Sequence, residues 1–209
     1  MKNRTVIIDN GHGIDTAGKR SPNGEFREYL WCRDFAKMLK YNLEYFGYTP
    51  ILLVPEDEDI CLSERARRAN EIYNNCNKTD CILLSIHNNA AGNGDKWYNV
   101  TGFEAYTSIG NTKSDKLAEL LYDEAILEDI KIRKDCSDGD YDKEAGFTIL
   151  TKTLCPAVLT ENMFMDSLGD VDFLNSPEGL NKLIKIHVNA IRRYFEDPNG
   201  THDSWINKC

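Results

Sequence analysis

Four residues far apart in the chain have side chains suited to chemistry: His12, Glu28, His87 and Glu161. His12 lies in IIDNGHG, residues 7–13, where an apolar run gives way to an acid, an amide and a histidine between two glycines. Glycine permits backbone turns that other residues resist, so Gly11 and Gly13 are read as forming a short open turn that presents the ring. His87 ends the apolar run CILLSIH, and Glu161 ends AVLTE. Two histidines and a glutamate are a common donor set for catalytic zinc with a position left for water. Such a metal acidifies its water and polarises a carbonyl. A further carboxylate is then needed as general base, to take a proton and pass it to a leaving nitrogen. His12, Glu28 and His87 fit the ligand roles, with one zinc per chain, and Glu161 fits the base.

Each residue also has a plainer reading. A histidine that ends an apolar strand is as readily a satisfied core residue. A glutamate opening a helix is favoured by the helix dipole whatever else it does. Glu161 is harder to explain this way, because an ionised carboxylate closing an apolar strand is costly unless paired or functional. His187, inside the last helical stretch, is read as structural, and His202 as solvated.

The elements that must position these groups follow from hydrophobic spacing. Strands are expected at Thr5–Asp9, Thr49–Val54, Cys81–His87, Gly102–Thr107, Phe147–Leu150 and Ala157–Glu161, with a short edge segment at Ile130–Ile132. Helices are expected from Glu28 to Phe46 with Gly47 as a stop, after an N-cap at Ser63, from Ser114 to Leu127, and from Pro177 to Phe195. Alternating strands and helices indicate a single α/β domain: a mostly parallel or mixed sheet of about six strands, helices on both faces. Ligands of open α/β sheets sit beyond the carboxyl ends of the strands, where His12, His87 and Glu161 fall. The domain is placed at residues 1–197, followed by a short polar tail at 198–209. The polar stretches Asn93–Asn99 and Asp135–Glu144 are candidate substrate-contacting loops. Within the first, Trp97 and Tyr98 either stack on substrate or pack under the loop.

The 209 residues suffice for one medium domain, and the 41% hydrophobic and 28% charged content is that of an ordinary globular chain. A net charge of -9 argues against nucleic acid as the main partner and against anionic lipid. No apolar stretch reaches the length of a membrane span. The opening residues lack a signal-peptide pattern, so synthesis in a cytoplasm is expected, with any exit by another route of release or after trimming. Seven cysteines without a C-x-x-C pair indicate neither a cysteine zinc site nor a disulfide framework. The sequence leaves the oligomeric state open.

With these residues in place, the chain resembles the zinc-dependent N-acetylmuramoyl-L-alanine amidases, the group that includes cell-separation amidases and phage endolysins. IIDNGHG is similar to that family's opening strand and first zinc histidine. REYLWCRDFAKMLKYNLEYFGY resembles the helix that begins with the zinc glutamate, in a register that selects Glu28 over Glu25. LSERARRANE, LLSIHNNAA, GFEAYT and CPAVLTENMFMDS are similar to the segments that follow, including the second zinc histidine and the catalytic glutamate. The resemblance implies zinc at His12, Glu28 and His87, with Glu161 activating water. The substrate it implies is peptidoglycan or muropeptides, cut at the amide between N-acetylmuramic acid and L-alanine. The chain departs from the pattern at Asn10, where proline is frequent, and at Asn162-Met163-Phe164, where Gly-Phe is frequent. Asn162 and Met163 are therefore expected beside the active centre.

Two other readings stand against this one. A zinc peptidase acting on stem peptides would use the same ligands, but zinc carboxypeptidases usually show His-x-x-Glu, and here His12 and Glu28 are far apart. A non-catalytic peptidoglycan-binding domain would have no use for so costly a charged cluster.

Overall fold

The computed structural model describes residues 4–137 and 139–196. Six strands form one mixed sheet: β1 (Thr5–Asn10), β2 (Thr49–Leu52), β3 (Cys81–Asn89), β4 (Glu104–Thr107), β5 (Lys143–Glu144) and β6 (Ala157–Phe164). Their order is β2-β1-β3-β6-β4-β5. The first four in that order run parallel, β4 turns antiparallel to β6, and β5 runs parallel to β4. Helices α1 (Glu28–Tyr45), α3 (Lys113–Leu127) and α6 (Pro177–Glu196) cover one face, with α5 (Leu168–Asn175) beside α6 and β6. Helices α2 (Leu62–Asn75) and α4 (Thr148–Thr151) cover the other.

This two-sided cover explains the near-continuous apolar runs of β1, β3 and β6, since a parallel strand is buried on both faces. Alternate residues divide between two cores. Val6, Ile8, Ile82, Leu84 and Val158 meet α1, α3 and α6. Ile7, Leu83, Ala157 and Leu159 meet the α2 and α4 side. Helix α1 turns Trp31, Cys32, Phe35, Leu39 and Leu43 inward at helical spacing. It ends before Gly47, whose φ of 81° a glycine adopts without strain. Helix α3 opens with a capping box between Thr112 and Asp115.

Several boundaries differ from the sequence reading. Phe147–Leu150 is not a strand; Thr148–Thr151 is one helical turn, because a run of four residues has too little periodicity to declare its type. The strand that completes the six is instead β5, Lys143–Glu144, two polar residues without a hydrophobic signal. Ile130–Ile132 contributes only a single bridge, Phe103 to Ile132. Helix α2 starts at Leu62 with Cys61 as its N-cap, so Ser63 lies inside it. Helix α5 has no counterpart in the sequence reading. Cys32, Cys81 and Cys155 are buried and free, Cys76 is half-buried and Cys61 exposed. Cys136 is disulfide-bonded, a pairing that spacing alone did not reveal. The tail at 198–209 and His202 lie outside the described residues. Among the described residues, no helix is long and apolar enough to cross a membrane.

Candidate metal centre

His12, Glu28 and His87 come together at the carboxyl ends of β1 and β3. One ligand atom from each lies within 4.8 Å of the others, the one such group of three among the described residues. Glu28 is the hub: its Oε2 is 3.3 Å from His12 Nε2 and its Oε1 is 3.1 Å from His87 Nδ1. His12 Nε2 and Glu28 Oε2 are buried yet lack a hydrogen bond of acceptable geometry. Buried polar atoms are rarely left unpaired, and a cation between the three side chains would satisfy both. The donor set therefore fits a metal ion. Burial alone would raise the Glu28 carboxyl; the close approach and charge of His12 and His87 outweigh it and hold the group well below the usual carboxylate range. His87 is drawn up by Glu28 against the opposing effect of burial.

The backbone around the triad is tightly specified. His12 itself takes the left-handed conformation, with φ 59°. The flanking glycines have a different purpose from the one read in the sequence: they make room for neighbours. A Cβ on Gly11 would stand 2.4 Å from His87 Cε1, and one on Gly13 would stand 2.0 Å from the backbone nitrogen of Asp59. The His12 carbonyl accepts from Arg33 Nη1 at 3.0 Å and from Arg65 Nη2 at 3.3 Å. Arg65 also donates to Asp9 Oδ1 at 2.7 Å, a fully buried pair, while Ser85 donates to the other Asp9 oxygen at 2.6 Å. Glu28 is aimed by the Asn88 N–H, 3.0 Å from its Oε1, and its own N–H donates to the Lys19 carbonyl at 3.0 Å.

Glu161 lies directly opposite His87 in the β3–β6 pairing, and Glu104 of β4 lies opposite Glu161. Residues paired across adjacent strands share a face, so His87, Glu161 and Glu104 form a row. Glu104 is neutralised by Arg133 at 2.6 Å and Lys143 at 3.0 Å, with Tyr106 and Asn89 donating to its second oxygen. Among the described residues Glu161 has no such partners, and its Oε2 is buried without a hydrogen bond. Burial pushes its carboxyl up to about 8; the nearby His87 opposes the rise, Glu28 adds to it, and Lys19 opposes it. A groove of about 550 Å³ opens above these residues. His12, His87 and Glu161 line it, with Asp9 and Arg65 below, Ile60 and Leu62 toward α2, and Phe147 and Ile149 toward α4.

All four residues selected from the sequence thus reach one site. Arg33, Arg65, Asp9 and Asn88, which hold it in shape, were not selected. The available signal was a charged residue on an apolar face, as with Arg33 among the buried residues of α1. His187 is structural as expected: fully buried, its Nδ1 donating to the Leu183 carbonyl at 2.7 Å and its Nε2 accepting from Thr160 Oγ1 at 3.2 Å. Asn162 does not face the groove but braces the strand behind it, donating to the His87 carbonyl at 3.1 Å. Met163, with φ 65°, is buried in the larger core. Trp97 packs partly buried against that same core, and its loop is tied down by Asp166, which accepts from the N–H groups of Ala91 and Gly92.

Comparison with known proteins gives a consistent match. The model of the family described as N-acetylmuramoyl-L-alanine amidase matches residues 6–193. The N-acetylmuramoyl-L-alanine amidase CwlM of Bacillus licheniformis is 30% identical over 191 residues, which cover 91% of this chain and 68% of that protein. The endolysin of Bacillus phage SPP1 is 28% identical over 193 residues, covering 90% of this chain and 65% of that protein. The crystal structure of an N-acetylmuramoyl-L-alanine amidase from Clostridium difficile 630 superposes with a TM-score of 0.80 at 24% identity, covering 94% of this chain and 98% of that one.

Proposed function

The chain belongs to the N-acetylmuramoyl-L-alanine amidase family, and from that premise we propose that it is a zinc-dependent hydrolase of the amide between N-acetylmuramic acid and L-alanine in peptidoglycan. The observation that carries the reading is the convergence of His12, Glu28 and His87 with an unpaired carboxylate, Glu161, on the neighbouring strand.

His12, Glu28 and His87 would hold the zinc, which when bound would polarise the scissile carbonyl and acidify water. Glu161 takes the proton of the attacking water as general base. The same carboxyl then gives that proton to the alanine nitrogen as the carbon–nitrogen bond breaks, leaving a lactyl carboxylate and a free amino terminus. A carboxyl raised toward neutrality by burial suits both halves of this exchange. Glu28, fixed by Asn88 and by the two histidines, keeps its negative charge throughout. The Asp9–Arg65 pair supplies a rigid, charge-balanced floor.

The test is mass spectrometry of purified peptidoglycan after incubation with the protein, with and without a chelator. Stem peptides with a free L-alanine amino terminus, lost on chelation and restored by zinc, are expected. Cleavage elsewhere in the peptide moves the protein to the peptidase reading. Several wall types left intact by zinc-loaded protein would overturn the catalytic reading in favour of a binding role.

A further inference from the structure

Two cations line the groove, Lys19 and Arg65, and they differ in their direct partners. Arg65 is neutralised by Asp9 and Asp59, at 2.7 and 2.9 Å. Glu28 belongs to the metal triad. Lys19 lines the same groove as His12, His87 and Glu161 but makes no direct ion-pair contact among the described residues, acting on Glu161 only at longer range. Its surroundings hold it in place: the Lys19 carbonyl accepts from the Glu28 N–H at 3.0 Å, and Arg20 bridges to Arg27 across the base of the loop. Lys19 also adopts φ 45°, a left-handed conformation that glycine, not lysine, takes without strain. Strain of this kind gathers where a side chain is needed. The opposite walls, Ile60 and Leu62 on one side and Phe147 and Ile149 on the other, offer no cation.

The two sides of the scissile amide differ in charge. The glycan side is built of neutral N-acetylated sugars. The peptide side carries free carboxylates, the first being the α-carboxylate of the D-glutamyl residue that follows L-alanine, when it is not amidated. An ammonium without a direct ion-pair contact beside the reacting centre therefore complements the peptide side. Resting on the amidase reading above, we propose that Lys19 is a specificity-determining residue that binds the carboxylate of the acidic residue following the scissile L-alanine.

The experiment compares two soluble muramoyl peptides, one with D-glutamate and one with its α-amide at the second residue, on wild type, Lys19→Met and Lys19→Arg. The backbone carbonyl that holds Glu28 is retained in both variants, so their zinc content, measured by metal analysis, is expected to equal that of wild type. Loss of one charge-assisted contact should raise KM for the acid substrate about tenfold in Lys19→Met, while any change in kcat from removing the charge near Glu161 should be the same for both substrates. The amide substrate should show KM unchanged, and Lys19→Arg should recover most of the acid preference. An equal loss on both substrates, or a fall in kcat alone, overturns the assignment. Failure of wild type to hydrolyse either substrate overturns the amidase reading instead. Calorimetric titration of the same two peptides into wild type and Lys19→Met then judges Lys19 separately: preference for the acid form, lost in the variant, supports it, and equal or undetectable binding overturns it.

Discussion

Glu161 stands directly opposite His87 at the last regular position of the parallel β3–β6 pairing, before the register shifts between His87 and Asn89. Two residues further along β3, the pairing has slipped so that Asn89 meets Phe164, three residues past Glu161. The bulge thus ends the regular ladder just past the two groups that matter. Bulges commonly re-aim side chains next to active sites. The two side chains share a face, and both meet the groove.

This geometry separates metal binding from proton transfer. Glu161 is not part of the group that could hold the metal. Glu161→Gln keeps the shape and removes the proton acceptor. Zinc content is expected to stay at one per chain while hydrolysis falls by about 10²–10⁴-fold, the usual worth of a general base. Metal analysis and release of amino termini from peptidoglycan check both halves. Hydrolysis near the wild-type rate would remove Glu161 from the base role.

Proton competition should release the metal in acid. Histidine binds a metal only when neutral, and its ordinary pKa is about 6.5. The Glu28 carboxylate holds His87 above its ordinary value, which favours the proton in the metal-free site. As pH falls, protons displace the metal, so zinc affinity should fall steeply and occupancy should be lost below about pH 5–6 at micromolar zinc. Equilibrium dialysis across pH reads this directly. Occupancy unchanged at about pH 4 would be incompatible with two histidine ligands of ordinary basicity.

The sequence made legible what depends on side-chain type near a strand end: His12, His87 and Glu161, and the three long helices that flank the sheet. It did not disclose what depends on distant approach. That a Cβ on Gly11 would meet the His87 ring is a fact about β1 against β3, invisible in either strand alone. Arg65 reaches Asp9 and the His12 carbonyl only because α2 packs over the end of β1. The two-residue β5 escaped because Lys143 and Glu144 are polar edge residues held to β4 by backbone pairing and by the Lys143–Glu104 ion pair, neither of which leaves a hydrophobic signal. The helical turn at Thr148–Thr151 was missed because Ile149 and Leu150 are buried whether helical or extended.

Gly11 yields a prediction about metal affinity. Its N–H is already committed to the Ile86 carbonyl at 2.9 Å, so the strand end cannot easily move away from β3. A methyl group 2.4 Å from the His87 ring must therefore push the ring instead. Gly11→Ala is expected to lower zinc affinity about 10–100-fold, the range for disturbing a ligand's orientation. Circular dichroism should show the fold intact. Wild-type zinc affinity in this variant would show that the His87 ring has freedom the packing does not suggest.

His187 gives the last prediction, one about stability without any role for metal. Burial holds its imidazole down, at about 4, and the Leu183 carbonyl only partly offsets this. The unfolded chain, with an ordinary histidine, takes up a proton near pH 6.5. Between those values the unfolded state binds more protons than the folded state, so stability rises with pH in that window and falls as the medium is acidified through it. At about 1.4 kcal/mol per unit, the loss from pH 6.5 to 4 approaches roughly 3 kcal/mol. Denaturant midpoints measured in a chelator, so that metal release does not contribute, should fall accordingly. His187→Gln retains an amide that can accept from Thr160 and has no proton to gain. It should lower stability at neutral pH, through lost packing against Phe35 and Phe103, but flatten the slope in acid. An acid slope identical to wild type would mean that other groups, and not His187, set the acid limit of the fold.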